Sequence, residues 1–285
     1  MNGEIILNKQ DVTKYITPLV PMATLLKPEG HLDMKIKCVL FDIYGTLFIS
    51  GAGDIGVYET QRIKKTKING LLHDFGINED PDLILKRLRL AIENKHSELR
   101  KKGVDFPEVA IDRLWMNVLG IDDVEVVKRF ATLFELITNP VYPMPNIKKM
   151  LSACKTLNVS MGIISNAQFY TKYLFQWFLN SSLEELGFHS DLIFYSYIFG
   201  HAKPSILMFH KASEKLEEMG ICKEDVLYLG NDMLNDISPA KKAGFKTALF
   251  AGDARSLRLR QDHPQCQHIN ADIVITDLIQ LLDFV

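Results

Sequence analysis

The sequence predicts an α/β protein, a doubly wound parallel sheet with an α-helical unit inserted into it, and three observations point there. Short apolar runs of strand length recur along the chain, and glycine or polar residues follow each at once. Between most of these runs lie stretches with helical spacing, the alternation from which βαβ units are built. One long stretch, residues 57–143, reads instead as helix upon helix.

Residues 1–35 carry three prolines in a mixed pattern and read as an N-terminal extension that packs on the core. The core proper is expected over 36–56 and 144–285. Its first strand is IKCVLF, Ile36 to Phe41, apolar throughout as a strand buried on both faces would be, and it delivers Asp42 at its C-terminal end. In the insert, Leu83, Leu85, Leu88, Leu90 and Ile92 alternate with Lys86, Arg87 and Arg89 at helical spacing. After Pro140, Pro143 and Pro145 the pattern predicts a helix over Ile147–Leu157, a strand over Val159–Ile164, further helix, and an apolar run at Leu192–Phe194. A helix follows Pro204, then a strand at Val226–Leu229, a helix through Ala240–Ala243, and strands at Thr247–Phe250 and Ile273–Ile275.

Bulk properties narrow the function classes. With 285 residues, 47% of them hydrophobic and 24% charged, the chain has material for one large core plus a smaller unit, and intrinsic disorder does not describe it. A net charge of -2 gives no general attraction to nucleic acid or anionic lipid. Cys38, Cys154, Cys222 and Cys266 lie far apart without CxxC spacing, which fits free thiols in a reducing cytosol. The apolar stretch Ile16–Leu26 is broken by Pro18 and Pro21 and lacks a basic lead-in, and no run reaches the roughly 20 apolar residues a bilayer requires. The expectation is a cytoplasmic protein, monomer or homodimer, acting on a small anionic molecule and not on nucleic acid or membrane.

In such sheets ligands bind beyond the carboxyl ends of the strands. The segments placed there are FDIYGT, SNA, HAKPS and GNDMLND. An aspartate at Asp42 can attack phosphorus or carbon and form a covalent intermediate. Gly45 permits a tight backbone approach and Thr46 offers a hydroxyl. Ser165 and Asn166 offer a hydroxyl and an amide to an anionic oxygen. Lys203 is a point charge placed just before a helix that Pro204 opens. Asp232 and Asp236 would converge on Asp42. Two bare carboxylates about 4 Å apart repel by roughly 4 kcal/mol at an effective dielectric near 20, and Lys203 balances one charge of three, so a divalent cation is the expected remedy. Oxygen donors in small number suit Mg²⁺.

These four stations, in this order, resemble the haloacid dehalogenase superfamily over residues 35–285 without the insert. The resemblance implies a Rossmann-type core with a helical cap domain over 57–143 and hydrolysis through an aspartate nucleophile. It implies Asp42, the Tyr44 carbonyl and Asp232 as Mg²⁺ ligands, with Asp236 behind them. Phosphatases of this superfamily carry a second Asp two residues after the nucleophile, whereas this chain has Tyr44, a phenol that can donate a proton but is a poor base. FDIYGTL matches the 2-haloacid dehalogenase branch, where a halide leaves without a proton, while GNDMLND matches the metal-binding branch. Phosphatase chemistry on a small phosphorylated metabolite is the first expectation, dehalogenation the second, and a silent binding member the third.

The insert's cations (Arg62, Lys64, Lys65, Arg100, Lys101, Lys102) could face an anion, though helix faces in water are the better reading. Arg62 and Arg113 are the candidates for a substrate-carboxylate partner. Gly51, Gly53 and Gly56 spell GxGxxG but do not open a helix directly off a strand, so a hinge is the better reading. His263, Cys266 and His268 crowd one segment without a suitably spaced fourth zinc ligand.

Overall fold

The structure is a computed structural model that describes residues 7–51 and 62–285, with side chains from residue 65 onward in the second segment. The chain begins with a short helix α1 (Lys9–Thr13) and a two-residue strand β1 (Glu29–Gly30), then enters β2 (Cys38–Phe41) and β3 (Phe48–Ser50). Four helices follow: α2 (Arg62–Asp74), α3 (Pro81–Lys101), α4 (Ile111–Leu119) and α5 (Val124–Thr138). The chain returns through β4 (Val141–Pro143), α6 (Ile147–Thr156), β5 (Ser160–Ser165) and β6 (Phe188–Tyr195). It closes with α7 (Ser196–Phe199), α8 (Leu207–Glu218), β7 (Val226–Gly230), α9 (Ser238–Ala243), β8 (Lys246–Phe250) and β9 (Ile273–Ile275).

Seven strands form one sheet in the order β1-β9-β8-β7-β2-β5-β6, parallel except for β1, which runs antiparallel on the edge. The expected doubly wound parallel sheet is therefore present. All four residues of β2 are buried, because this central strand is covered on both faces. Register decides where the site lies: Phe41 pairs with Ile163 of β5 and with Leu229 of β7, so the three strands end level. Gly162 makes this tight layer possible, since a Cβ there would sit 2.6 Å from both Leu192 and Leu40.

The insert leaves and re-enters the core side by side. β3 pairs antiparallel with β4 in a separate two-stranded sheet, and Gly51 N–H donates to Pro140 at 2.7 Å. The helices between carry clear local signals. Asp80 caps α3 with Pro81 as its first residue, Asp123 caps α5, and α4 stops at Gly120 in left-handed conformation. Their apolar faces meet at Trp115, whose ring packs edge-on against Phe130 at 5.0 Å and Phe134 at 4.8 Å. These residues belong to one buried cluster continuous with the sheet.

One element departs from the sequence reading and another adds to it. The helix expected after Ser165 is instead a series of turns ending in a five-residue π-helix, Phe175–Leu179, whose Trp177 donates its indole N–H to the Leu7 carbonyl at 2.9 Å. The N-terminal segment does more than lie on the surface: it adds β1 to the sheet and buries Leu7, Val12 and Tyr15. Among the described residues no helix is long and apolar enough to cross a membrane.

Candidate functional site

Asp42 is the first residue beyond β2, 5% exposed, and its N–H is tied to Leu229 at 2.9 Å. The chain must then turn sharply across the ends of its neighbours. Gly45 allows this with φ +86, and a Cβ there would meet Ser256 at 2.6 Å and the Asn231 amide at 2.7 Å. The turn brings Thr46 back under the nucleophile, its Oγ1 3.4 Å from Asp42 Oδ2 and 3.1 Å from Asn231 Oδ1, so the better hydrogen bond goes to Asn231.

Ser165, the last residue of β5, donates to Asp42 Oδ1 at 2.9 Å. Lys203 donates to the same oxygen at 2.7 Å and to Asp236 Oδ1 at 2.6 Å, and gives a third N–H to the Tyr228 hydroxyl at 3.0 Å. Tyr228 donates its own O–H to the Ile164 carbonyl at 2.8 Å. Asp236 Oδ2 accepts the backbone N–H groups of Asn231 and Asp232 at 3.0 and 2.9 Å, which folds the GND turn around it. The two charge-assisted contacts at Asp42 Oδ1 leave Oδ2 as the less engaged oxygen of the nucleophile.

Burial works against every charge here. It pulls the Lys203 ammonium down, but Asp236 and Asp42 outweigh it and hold the pKa above the usual lysine value. Burial pushes Asp236 up to about 6, against the pull of Lys203 and with Asp42 and Asp232 adding to the rise. The Tyr44 phenol is raised well above 10, by burial first and Glu135 second, with its hydrogen bond to Thr171 at 3.0 Å opposing. Tyr44 therefore stays protonated at any physiological pH.

Asp42, Tyr44, Asn166, Lys203, Asp232 and Asp236 share the lining of a cavity of about 50 Å³, so the structure brings the predicted residues of all four stations together. The structure adds to three of these expectations. Asn166, expected to offer its amide to an anionic oxygen, lines the cavity and also clamps the backbone of Lys203, accepting its N–H at 2.7 Å and donating to its carbonyl at 3.3 Å. Lys203 was expected to balance one charge of the three, with a divalent cation as the remedy, and the structure adds a second protein cation: Arg260 pairs with Asp232, Nη2 to Oδ2 at 2.7 Å and Nε to Oδ1 at 3.2 Å. Asp232 was expected to converge on Asp42, yet it also caps the π-helix Met233–Ile237, accepting from Leu234 at 2.9 Å and Asn235 at 3.3 Å. Among the described residues no three acidic, histidine or cysteine side chains form a ready metal cluster. The cavity wall offers three carboxylates, Asp42, Asp232 and the lysine-bound Asp236, with Asn231 and Asn235 beside them. That oxygen-rich donor set fits a partly hydrated Mg²⁺ and not a closed all-protein cage.

Sequence reasoning missed Tyr228, Asn231, Arg258 and Arg260. Tyr228 reads as one more apolar letter in VLYL, although a tyrosine in a fully buried strand must place its hydroxyl somewhere polar. Arg258 reaches the cavity wall from the loop after β8, where no periodicity marks it.

The remaining candidates fall elsewhere. The side chains of Arg62 and Lys64, like Gly53 and Gly56, lie outside the described residues, while Arg113 is exposed on α4. Lys65 pairs with Asp82 and Lys102 with Glu98, as solvated helix charges do. Cys266 is buried in an apolar cluster with Met233 and Ile237, which explains it without zinc. The insert docks on the core through Glu108, whose carboxylate accepts the Ser196 hydroxyl at 2.8 Å and the Gln168 amide at 3.3 Å.

Comparison with known proteins agrees with this geometry. The model of the haloacid dehalogenase-like hydrolase family matches residues 36–244. A glyceraldehyde 3-phosphate phosphatase of Methanocaldococcus jannaschii is 27% identical over 215 residues, 74% of this chain and 83% of its own length. Among solved structures, a 2-haloacid dehalogenase from Pseudomonas syringae pv. Tomato DC3000 has a TM-score of 0.51 at 18% identity, covering 87% of this chain and 97% of its own. A HAD phosphatase from Thermococcus onnurineus has a TM-score of 0.50 at 17% identity, with the same coverage of 87% and 97%. At these identities the two structures establish the shared fold alone.

Proposed function

Because the chain belongs to the haloacid dehalogenase-like hydrolase family, we propose that it is a Mg²⁺-assisted phosphatase acting on a small phosphorylated metabolite, with Asp42 as nucleophile. The observation that carries this reading is the asymmetry of the Asp42 carboxylate. Oδ1 is fixed by Lys203 and Ser165, and Oδ2 has a single long contact with Thr46. A carboxylate held at one oxygen and open at the other is oriented for in-line attack.

Oδ2 forms a bond to phosphorus as the ester P–O bond breaks, and the leaving oxygen takes a proton from solvent water. Water then cleaves the aspartyl phosphate, restoring Asp42 and releasing phosphate. Lys203 is already positioned to balance the charge that gathers on the phosphoryl oxygens, so little reorganisation is needed. Tyr44, protonated throughout, can donate a hydrogen bond to the leaving oxygen but cannot activate water. Asp42, the Tyr44 carbonyl and Asp232 would hold Mg²⁺, which when bound would neutralise phosphoryl charge. The phosphatase similarity supports a phosphorylated metabolite of triose size as the substrate class.

A second reading is dehalogenation of a 2-haloacid, and Tyr44 favours it, since a halide needs no proton. The experiment is phosphate release from a panel of phosphate esters with and without Mg²⁺, using Asp42→Asn as the blank. Release that requires both the metal and Asp42 is the expected result. Halide release from 2-haloacids without phosphate release would overturn the proposal in favour of the second reading, and neither would leave a binding role.

A further inference from the structure

The same reading assigns Asp232 to a divalent cation, yet its two oxygens are already fully solicited. Oδ1 accepts from Leu234 N, Asn235 N and Arg260 Nε at 2.9, 3.3 and 3.2 Å. Oδ2 accepts from the Asn235 amide at 3.1 Å and from Arg260 Nη2 and Nε at 2.7 and 3.3 Å. An ionised carboxylate has about four lone-pair positions, so nothing remains for a metal while Arg260 stays in place. The contacts from Leu234 and Asn235 belong to the helix cap and are local to the loop. Those from Arg260 come from 28 residues away and from a side chain 35% exposed, which water can receive if it leaves.

The backbone supports the same assignment. Arg260 has φ 51, a conformation that L residues other than Asn and Asp seldom adopt. The strand-like bridge beside it, Arg258 N–H to Asn231 O at 2.9 Å and Met233 N–H to Arg258 O at 2.9 Å, holds the arginine loop against the Asp232 turn. Arg258 lines the same cavity with the same charge but spends its guanidinium on the carbonyls of Arg255 and Leu257 at 2.8 and 3.0 Å, not on a carboxylate.

We propose that Arg260 is a tethered cation that competes with the divalent metal for Asp232. Arg260 would have to leave Asp232 for that carboxylate to hold Mg²⁺, and while it stays its guanidinium neutralises Asp232 beside the capped turn. The inference rests on the metal-assisted reading of the site, and it makes Arg260 a residue that sets metal affinity without touching substrate.

The test is calorimetric titration with Mg²⁺ alone, without substrate, so that turnover is not the readout. Arg260→Met should bind Mg²⁺ about tenfold tighter or more than the unmodified protein, the scale of a lost charge-assisted pair. Arg258→Met removes a like charge from the cavity wall without touching the Asp232 pair and should change the affinity by no more than a few-fold. Arg260→Lys, which keeps the charge but loses the two-pronged contact, should fall between, and serves if Arg260→Met does not fold. Asp232→Asn should abolish the gain. Affinity unchanged or weaker in both Arg260 variants, or an equal gain in Arg258→Met, overturns the proposal, as does the absence of Mg²⁺ binding in every variant. Mg²⁺-dependent phosphate release with unchanged affinity in the Arg260 variants would sink this inference and leave the phosphatase reading standing. The predicted affinity order without any phosphate release would do the reverse.

Discussion

Two cations divide the three carboxylates of the site, and they work under different conditions. Lys203 lies between Asp42 and Asp236 with its side chain 3% exposed, and its partners are at 7% and 2%. Arg260 approaches Asp232 from a loop, 35% exposed, against a carboxylate at 9%. Removing water from an ion pair makes loss of either partner costly, whereas a pair in contact with water can be broken and remade cheaply. The difference separates a fixed half of the site, which positions the nucleophile, from an exchangeable half, which can admit a ligand.

The strongest way to sharpen that contrast is at the nucleophile. Asp42→Asn should lower turnover by roughly a thousandfold or more, read as phosphate release from the best ester, and residual activity near the original level would remove Asp42 from the chemistry. Next in size are the two cations. Lys203→Met leaves Asp42 and Asp236 buried and unpaired and should cost about 3–5 kcal/mol in urea unfolding. Arg260→Met should cost about 1 kcal/mol. Equal losses would erase the distinction between the two halves. Tyr228→Phe removes the hydroxyl that accepts from Lys203 and donates to Ile164, and should cost about 1–2 kcal/mol in thermal or chemical melts. No loss would mean that the lysine is held by its carboxylates alone.

The smallest expected effect lies at the seam between insert and core. Burial raises the Glu108 carboxyl above its usual 4.5, against the hydrogen bonds from Val109 and Ser196. A raised carboxyl stabilises the fold below its unfolded pKa, and that contribution fades as pH rises through the folded value. Glu108→Gln, which keeps the hydrogen-bond geometry without the charge, should therefore gain stability over the unmodified protein at pH 8 and lose the gain toward pH 4. Melting curves at the two pH values test this, and a difference that does not vary with pH would contradict it.

What could be read from the sequence follows the same division. Asp42, Ser165 and Lys203 were legible because strand ends in a parallel sheet converge by geometry, so a polar residue directly after an apolar run already has an address. The seven-stranded order could not be read in full, since Glu29–Gly30 is too short for any period, and its place on the edge depends on β9, which lies far along the chain. Arg260 was invisible for a related reason. It sits in a loop, and its role comes from a contact across 28 residues that no local pattern encodes. Asn166 was placed, but its bond to the Lys203 backbone was not foreseen, because a side-chain amide satisfies a backbone as readily as a ligand. The π-helix at Phe175–Leu179 was read as ordinary helix, since periodicity cannot resolve one extra residue per turn over so short a span.

The segment from Val20 to Thr24 also acts as a splint. Met22 N–H donates to the Asp253 carboxylate and its carbonyl accepts from Ala254, Thr24 bonds the Ala251 carbonyl, and Arg255 reaches Val20, each at 2.8 Å. These ties grip the loop that goes on to Arg258 and Arg260. Both the splint and the arginines fall outside residues 36–244, the stretch shared with the family. A protein trimmed to that shared stretch would keep its nucleophile and its lysine yet lose Arg258 from the cavity wall and Arg260 from Asp232.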